Sequence, residues 1–190
     1  GYSWAANYEL ITADGGPAVL GGAAASDDRR GYAAFFGGED TRTFLNPSPA
    51  QIKPSQPSLT REMMARRIGS QSLIAAEEWR VESPDVSSPT YAFLEIVTCD
   101  TGGHDEDYGA WTIQSLYPYL SESQGFEVLA KLVSTTTATK HVTISSFATL
   151  ADLQAQRRDA PKDDWSVRVR DYQDHGGRPP MLGRRLWPLA

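Results

Sequence analysis

The chain has 190 residues, 40% apolar and 22% charged, enough to bury the core of one large domain or two small ones. A net charge of −6 and a pI near 5.0 argue against a nucleic-acid surface, because phosphate recognition needs clustered Lys and Arg. The basic pairs Arg29-Arg30, Arg66-Arg67 and Arg157-Arg158 stand isolated, as solvated surface does.

In chain order, residues 8–13 read as an opening strand, followed by a glycine-rich stretch without regular pattern. Gly15-Gly16-Pro17 and Gly21-Gly22 do not make a dinucleotide fingerprint, since Pro17 and the spacing spoil the turn into a helix. Residues 45–58, with Pro47, Pro49, Pro54 and Pro57, read as an ordered loop or lid. A helix is expected over 59–76, with Gly69-Ser70 as a possible break, and a short strand over 79–82. Residues 83–89, bounded by Pro84 and Pro89, read as a join.

The second half has clearer punctuation. Residues 90–99 are rich in aromatic and β-branched side chains and end in the turn Asp100-Thr101-Gly102-Gly103. Residues 105–120 carry a helical stripe of Tyr108, Trp111, Ser115, Leu116 and Tyr119, which Pro118 should kink or end. Strands over 126–134 and 141–147 suggest a hairpin, 149–159 a helix capped by Thr149, and 165–172 alternates as a last strand. The resulting order, β-α-β-β-α-β, is that of a ferredoxin-like unit.

Two anchors recur, with Glu9 and Glu95 at the same offset as Trp79 and Trp165: the run Glu9 to Gly16 against the one-residue-longer run Glu95 to Gly103, and Glu77-Glu78-Trp79 against Asp163-Asp164-Trp165. They suggest an α+β chain of two tandem βαββαβ units, an irregular one over 1–83 and a regular one over 90–173, with a tail over 174–190. Trp79 and Trp165 would then occupy equivalent strand positions. The tail, with Met181, Leu182, Leu186 and Trp187 among arginines, packs on the chain's own body or on a sister subunit, giving a possible homo-oligomer.

Strand parity separates two faces. Ala92, Leu94 and Ile96, with Phe126, Val128, Ala130, Leu132, Val142 and Ile144, form an apolar set expected beneath the helices. The opposite set mixes Tyr91, Phe93, Glu95, Lys131, His141, Thr143, Ser145, Arg168, Arg170 and Tyr172, and is expected to line a pocket. Charges there need partners, so Glu95 is expected to pair with Arg168 or Arg170, and Glu9 could reach the same cavity from the other unit. His141 and Glu95 are the candidate catalytic groups. His141 serves as a general base, as an axial haem ligand or only structurally. Cys99 reads as a small buried hydrophobe, and no Cys/His cluster has zinc spacing. No apolar run approaches the ~18 residues of a membrane span. The N-terminus lacks the marks of a secretory signal. A cytoplasmic protein without membrane or nucleic-acid partners is expected.

The 91–100 strand, Leu116-Tyr117-Pro118-Tyr119-Leu120, Gly125-Phe126-Glu127-Val128 and the run from Thr149 to Leu153 with Asp164-Trp165 resemble the dimeric α/β-barrel superfamily, nearest its NIPSNAP-like and EthD-like branches. That resemblance implies two ferredoxin-like sheets facing each other around a pocket, here as a single-chain pseudo-dimer. It also implies a small apolar or aromatic ligand and an enzyme without cofactor: an oxygenase, isomerase or cyclase. A non-catalytic ligand-binding or assembly protein and a haem protein are the alternatives, since one fold hosts many activities.

Overall fold

The computed structural model describes residues 2–16, 18, 30–65, 71–135, 139–158 and 161–188, those at 49 and 50 by backbone only. Seven strands make one curled antiparallel sheet: β1 (Trp4–Ile11), β2 (Tyr32–Gly37), β3 (Ala75–Glu82), β4 (Phe93–Cys99), β5 (Phe126–Ser134), β6 (His141–Phe147) and β7 (Met181–Trp187). Their spatial order is β2-β1-β7-β4-β6-β5-β3. The hairpin β5–β6 falls where its β-branched and aromatic residues place it, with Lys131 opposite Thr143 and Val133 opposite His141.

Within this sheet the run β7-β4-β6-β5 is the ferredoxin-like arrangement, but its fourth strand is β7 rather than 165–172. Residues Asp164–Tyr172 are a helix, α7. Asp163 caps it, accepting from the Ser166 amide at 2.9 Å and the Ser166 hydroxyl at 2.6 Å. Asp163→Ala should therefore lower stability by about 1 kcal/mol in a denaturant titration. Arg168, Arg170 and Tyr172 consequently lie on a helix and not on the sheet. The stretch read as a tail supplies a central strand, paired with β1 on one side and β4 on the other.

A second ferredoxin-like sheet is not formed among the described residues. Strands β1 and β2 extend the sheet beyond β7, while β3 extends its far edge beyond β5. Trp79 lies in β3, whereas Trp165 lies in the first turn of α7, so the two are not equivalent. What survives of the repeat is local: β1 and β4 each run into a turn with glycine at positive φ, Gly15 at 89° and Gly102 at 58°.

The proline-rich region folds as short helical turns, α1 (Arg42–Leu45), α2 (Pro49–Ile52) and a 3₁₀ turn (Lys53–Ser55), before α3 (Ser58–Ala65). The predicted helix over 59–76 is thus shorter, and its suggested break at Gly69-Ser70 lies outside the described residues. Further on, α4 (Asp105–Trp111) passes through a π-helical turn (Thr112–Leu116) into α5 (Tyr117–Ser121). The wider turn lies just before Pro118, where the missing amide would otherwise break the ladder, so the helix continues through the proline. Helix α6 (Leu150–Arg158) begins at Thr149, whose hydroxyl accepts from the Asp152 amide at 3.2 Å. Among the described residues no helix is long and apolar enough to cross a membrane.

Parity holds, but the two faces are exchanged relative to expectation. The mixed face lies under the helices, where Phe93, Leu129, Phe147 and Leu182 pack with Leu120 and Leu153. The apolar set around Leu94, Ile96 and Val142 is covered by the curl of the sheet itself, against Tyr8, Phe35 and Tyr91. The reason lies in α4, which presents Asp105 and Tyr108 to the sheet and therefore needs hydroxyl and imidazole partners beneath it. Phe126 leaves the apolar set because a bulge between Phe126 and Val128 inserts Glu127 and turns Phe126 toward the helices.

Candidate active site

His141 begins β6 and lies directly beneath α4, only 2% exposed. Its Nε2 is 2.7 Å from Asp105 Oδ1, and its ring centroid is 5.0 Å from that of Tyr108. Asp105 also receives the Thr101 hydroxyl at 2.6 Å and an ion pair from Lys140. The Lys140 ammonium first, then the Thr101 and His141 hydrogen bonds, hold its carboxyl well below the usual carboxylate range. An ionised Asp105 can only accept, so Nε2 carries the proton, and in the neutral imidazole the lone pair is then on Nδ1. Nδ1 is buried and has no hydrogen-bond partner among the described residues.

Tyr108 is fully buried, its hydroxyl 2.8 Å from Thr143 Oγ1, and burial pushes the phenol far above its ordinary range. Lys131, 3% exposed on β5, points to the same region with its ammonium 5.9 Å from the Tyr108 ring centroid. It is ion-paired with Glu78 of β3. Cys99, wholly buried opposite His141 on β4, has its thiol pushed up by burial, in keeping with an inert packing role.

His141, Asp105, Lys140, Lys131 and Glu78 border an open cleft of about 350 Å³ between α4 and the β3–β5–β6 corner of the sheet. Trp79, Ile113 and Val133 supply apolar walls, and the polar groups are the carboxylates Glu78, Asp105 and Glu106 with Lys131, Lys140 and His141. The volume falls within the ~300–1,000 Å³ of small-molecule sites. Among the described residues no group of three or more His, Cys, Asp or Glu gathers as a metal site.

Of the residues expected to line one pocket, His141 and Lys131 line this cleft, while Thr143 is buried against Tyr108 and does not. Glu95 does not join them. It lies four residues along β4 from Cys99, about 13 Å at ~3.3 Å per residue, and pairs with Arg157 of α6 instead of Arg168 or Arg170. Burial pushes its carboxyl up, opposed by Arg157. Arg168 binds Asp107 at 2.9 Å, Tyr172 donates to the same carboxylate at 3.0 Å, and Arg170 donates to the Pro161 carbonyl at 2.7 Å. The two bonds to Asp107 fasten α7 to α4. Ser145 is buried beside Glu95, and Phe93 belongs to the apolar core. Glu9, three strands from β6, is held by Arg30 at 3.3 Å and by Arg184. Tyr91 sits outside β4 at φ 52°, on the opposite face, where its hydroxyl accepts from Arg80 at 2.9 Å.

Asp105, Glu78 and Trp79 are the site residues that strand parity missed. The register shift between Glu77 and Trp79 is a bulge that turns both Glu78 and Trp79 toward the cleft, and bulges cluster beside functional sites. Asp105 was legible only as an acidic residue in the first turn of a helix.

The depressed Asp105 carboxyl makes a pH prediction. A folded pKa below the unfolded value contributes stability that is present above ~pH 4 and is lost as pH falls through the folded pKa. The stability difference between wild type and Asp105→Asn should therefore be full at pH 6 and shrink steadily below pH 4 in urea titrations. A difference independent of pH would contradict the Asp105 network.

No protein-family model matches the chain, and no curated protein matches it. Among solved structures, one described as a crystal structure study of an anthrone oxidase-like protein is similar over 97% of this chain and 78% of its own, with a TM-score of 0.57 and 14% identity. At that identity the likeness is one of fold. The chain thus has an α+β fold, a curled seven-stranded antiparallel sheet with helices on one face, shared with that protein.

Proposed function

We propose that the chain is a small-molecule enzyme of the dimeric α/β-barrel type, acting without a cofactor on a planar aromatic compound that carries an acidic C–H bond. The observation that carries this reading is His141, which lines a cleft with aromatic, aliphatic and charged sides, whose Nε2–H is fixed by Asp105 and whose buried Nδ1 has no partner among the described residues. A buried acceptor left unpaired is costly, and a ligand proton delivered to it removes that cost. Nδ1 itself is buried, so a ligand reaches it only as the side chains over it shift. The approach tightens when a ligand enters, as catalytic hydrogen bonds do.

The fold neighbour's description names anthrone, a tricyclic ketone whose methylene is acidified by two aromatic rings and a conjugated carbonyl. On this reading Nδ1 takes one methylene proton and the enolate oxygen turns toward Lys131. Dioxygen then accepts the electrons, so that CH₂ and O₂ become C=O and H₂O. The test is anthrone consumption with oxygen uptake by the purified protein. Turnover above the uncatalysed rate supports the reading. Binding without turnover leaves the ligand-binding alternative, and a Soret band in the absorption spectrum would replace both with the haem protein.

A further inference from the structure

Lys131 and Glu78 are an unequal pair. The lysine side chain is 4% exposed and the glutamate 43%. Glu78 occupies the bulge of an edge strand, without a register partner on β5, and meets no other cation within ion-pair distance among the described residues. Lys140, the other ammonium at the cleft, is engaged by Asp105, which also holds His141. Glu78 can therefore swing into water at little cost, whereas Lys131 cannot be left buried and unpaired.

We propose that the cleft selects anionic aromatic ligands by carboxylate exchange: a carboxylate, phenolate or enolate oxygen of the ligand displaces Glu78 from the Lys131 ammonium while its ring packs against Trp79. A neutral ligand offers Lys131 no replacement charge, so it leaves Glu78 in place and competes with it for space. Displacement also couples selection to chemistry, because the group that attracts the ligand oxygen is the one that holds the enolate once His141 has taken the proton. This inference rests on the cleft being the ligand site, and its test separates the two claims.

The probes are 2-naphthoate and its neutral isostere 2-naphthamide, followed by calorimetry with the full chain. Naphthoate should bind the wild type more tightly than the amide. Glu78→Gln should tighten naphthoate about fivefold to tenfold, and Lys131→Met should weaken it about tenfold or more, while neither moves the amide beyond about twofold. Glu78→Gln removes the charge at an exposed edge position but keeps an amide oxygen to accept from the Lys131 ammonium, so it decides the matter even if Lys131→Met fails to fold. Equal affinity for both probes, or naphthoate affinity unmoved by Glu78→Gln, overturns the exchange and leaves the cleft as a ligand site. Failure of both probes to bind overturns the exchange and the cleft together.

Discussion

Replacing His141 with glutamine should lower kcat for anthrone oxidation by about 10²–10⁴, the range supplied by a positioned general base. The substitution keeps an N–H that can reach Asp105 and a side chain of similar size beneath Tyr108, so the fold should stand while the basic nitrogen is gone. Because the lost group acts on the reacting C–H bond, kcat should fall with little change in KM. Glu95→Gln serves as the contrast. Glu95 lies about 13 Å away along β4 and is tied to α6, and its loss should leave kcat within about twofold, since its role is packing α6 onto the sheet. Equal losses in both variants would remove His141 from the chemistry.

The largest stability effect outside the apolar core is expected at Glu127, the residue inserted by the β5 bulge and 2% exposed. Its carboxylate accepts from the Thr90 amide at 2.9 Å, the Thr90 hydroxyl at 2.7 Å, the Tyr91 amide at 2.9 Å and the Ser146 hydroxyl at 3.3 Å. These bonds hold the corner in which Tyr91 adopts positive φ and its carbonyl receives the Tyr8 hydroxyl at 3.1 Å. Glu127→Ala strands those donors and opens a cavity, for a loss of about 3 kcal/mol. Glu127→Gln, which keeps one acceptor oxygen, should lose about half as much. Chemical denaturation measures both, and a loss below about 0.5 kcal/mol for the alanine variant would show that water replaces the carboxylate.

How far the sequence foretold this arrangement differs from element to element. The β5–β6 hairpin was legible because nine and seven residues of β-branched and aromatic character bracket a polar connection. Residues 165–172 were not, because so short a run satisfies both periods. Trp165, Val167 and Val169 alternate as in a strand, while Trp165, Val169 and Tyr172 recur at helical spacing. The deciding signal was the cap Asp163 with Ser166 three residues on. Missing it moved Arg168 and Arg170 onto the sheet and created the false pairing with Glu95.

The side of each strand residue was readable, but which side the helices cover was not. That depends on what the helices present, and a helix offering Asp105 and Tyr108 finds its complement in His141 and Thr143, not in Leu94 and Ile96. The bulges at Glu78 and Glu127 leave no mark in hydrophobic alternation beyond a local lapse, so the residues they re-aim were visible only in three dimensions.

The most direct test of the central claim, that the ligand site lies beneath α4 rather than on the sheet face that carries Leu94 and Ile96, is a crystal structure with a bound anthrone analogue such as anthraquinone-2-carboxylate. The ring system should lie between Trp79 and Ile113, with its carboxylate at Lys131 and an edge toward His141. A ligand seated instead against Leu94, Ile96 and Tyr91 on the opposite face would contradict it.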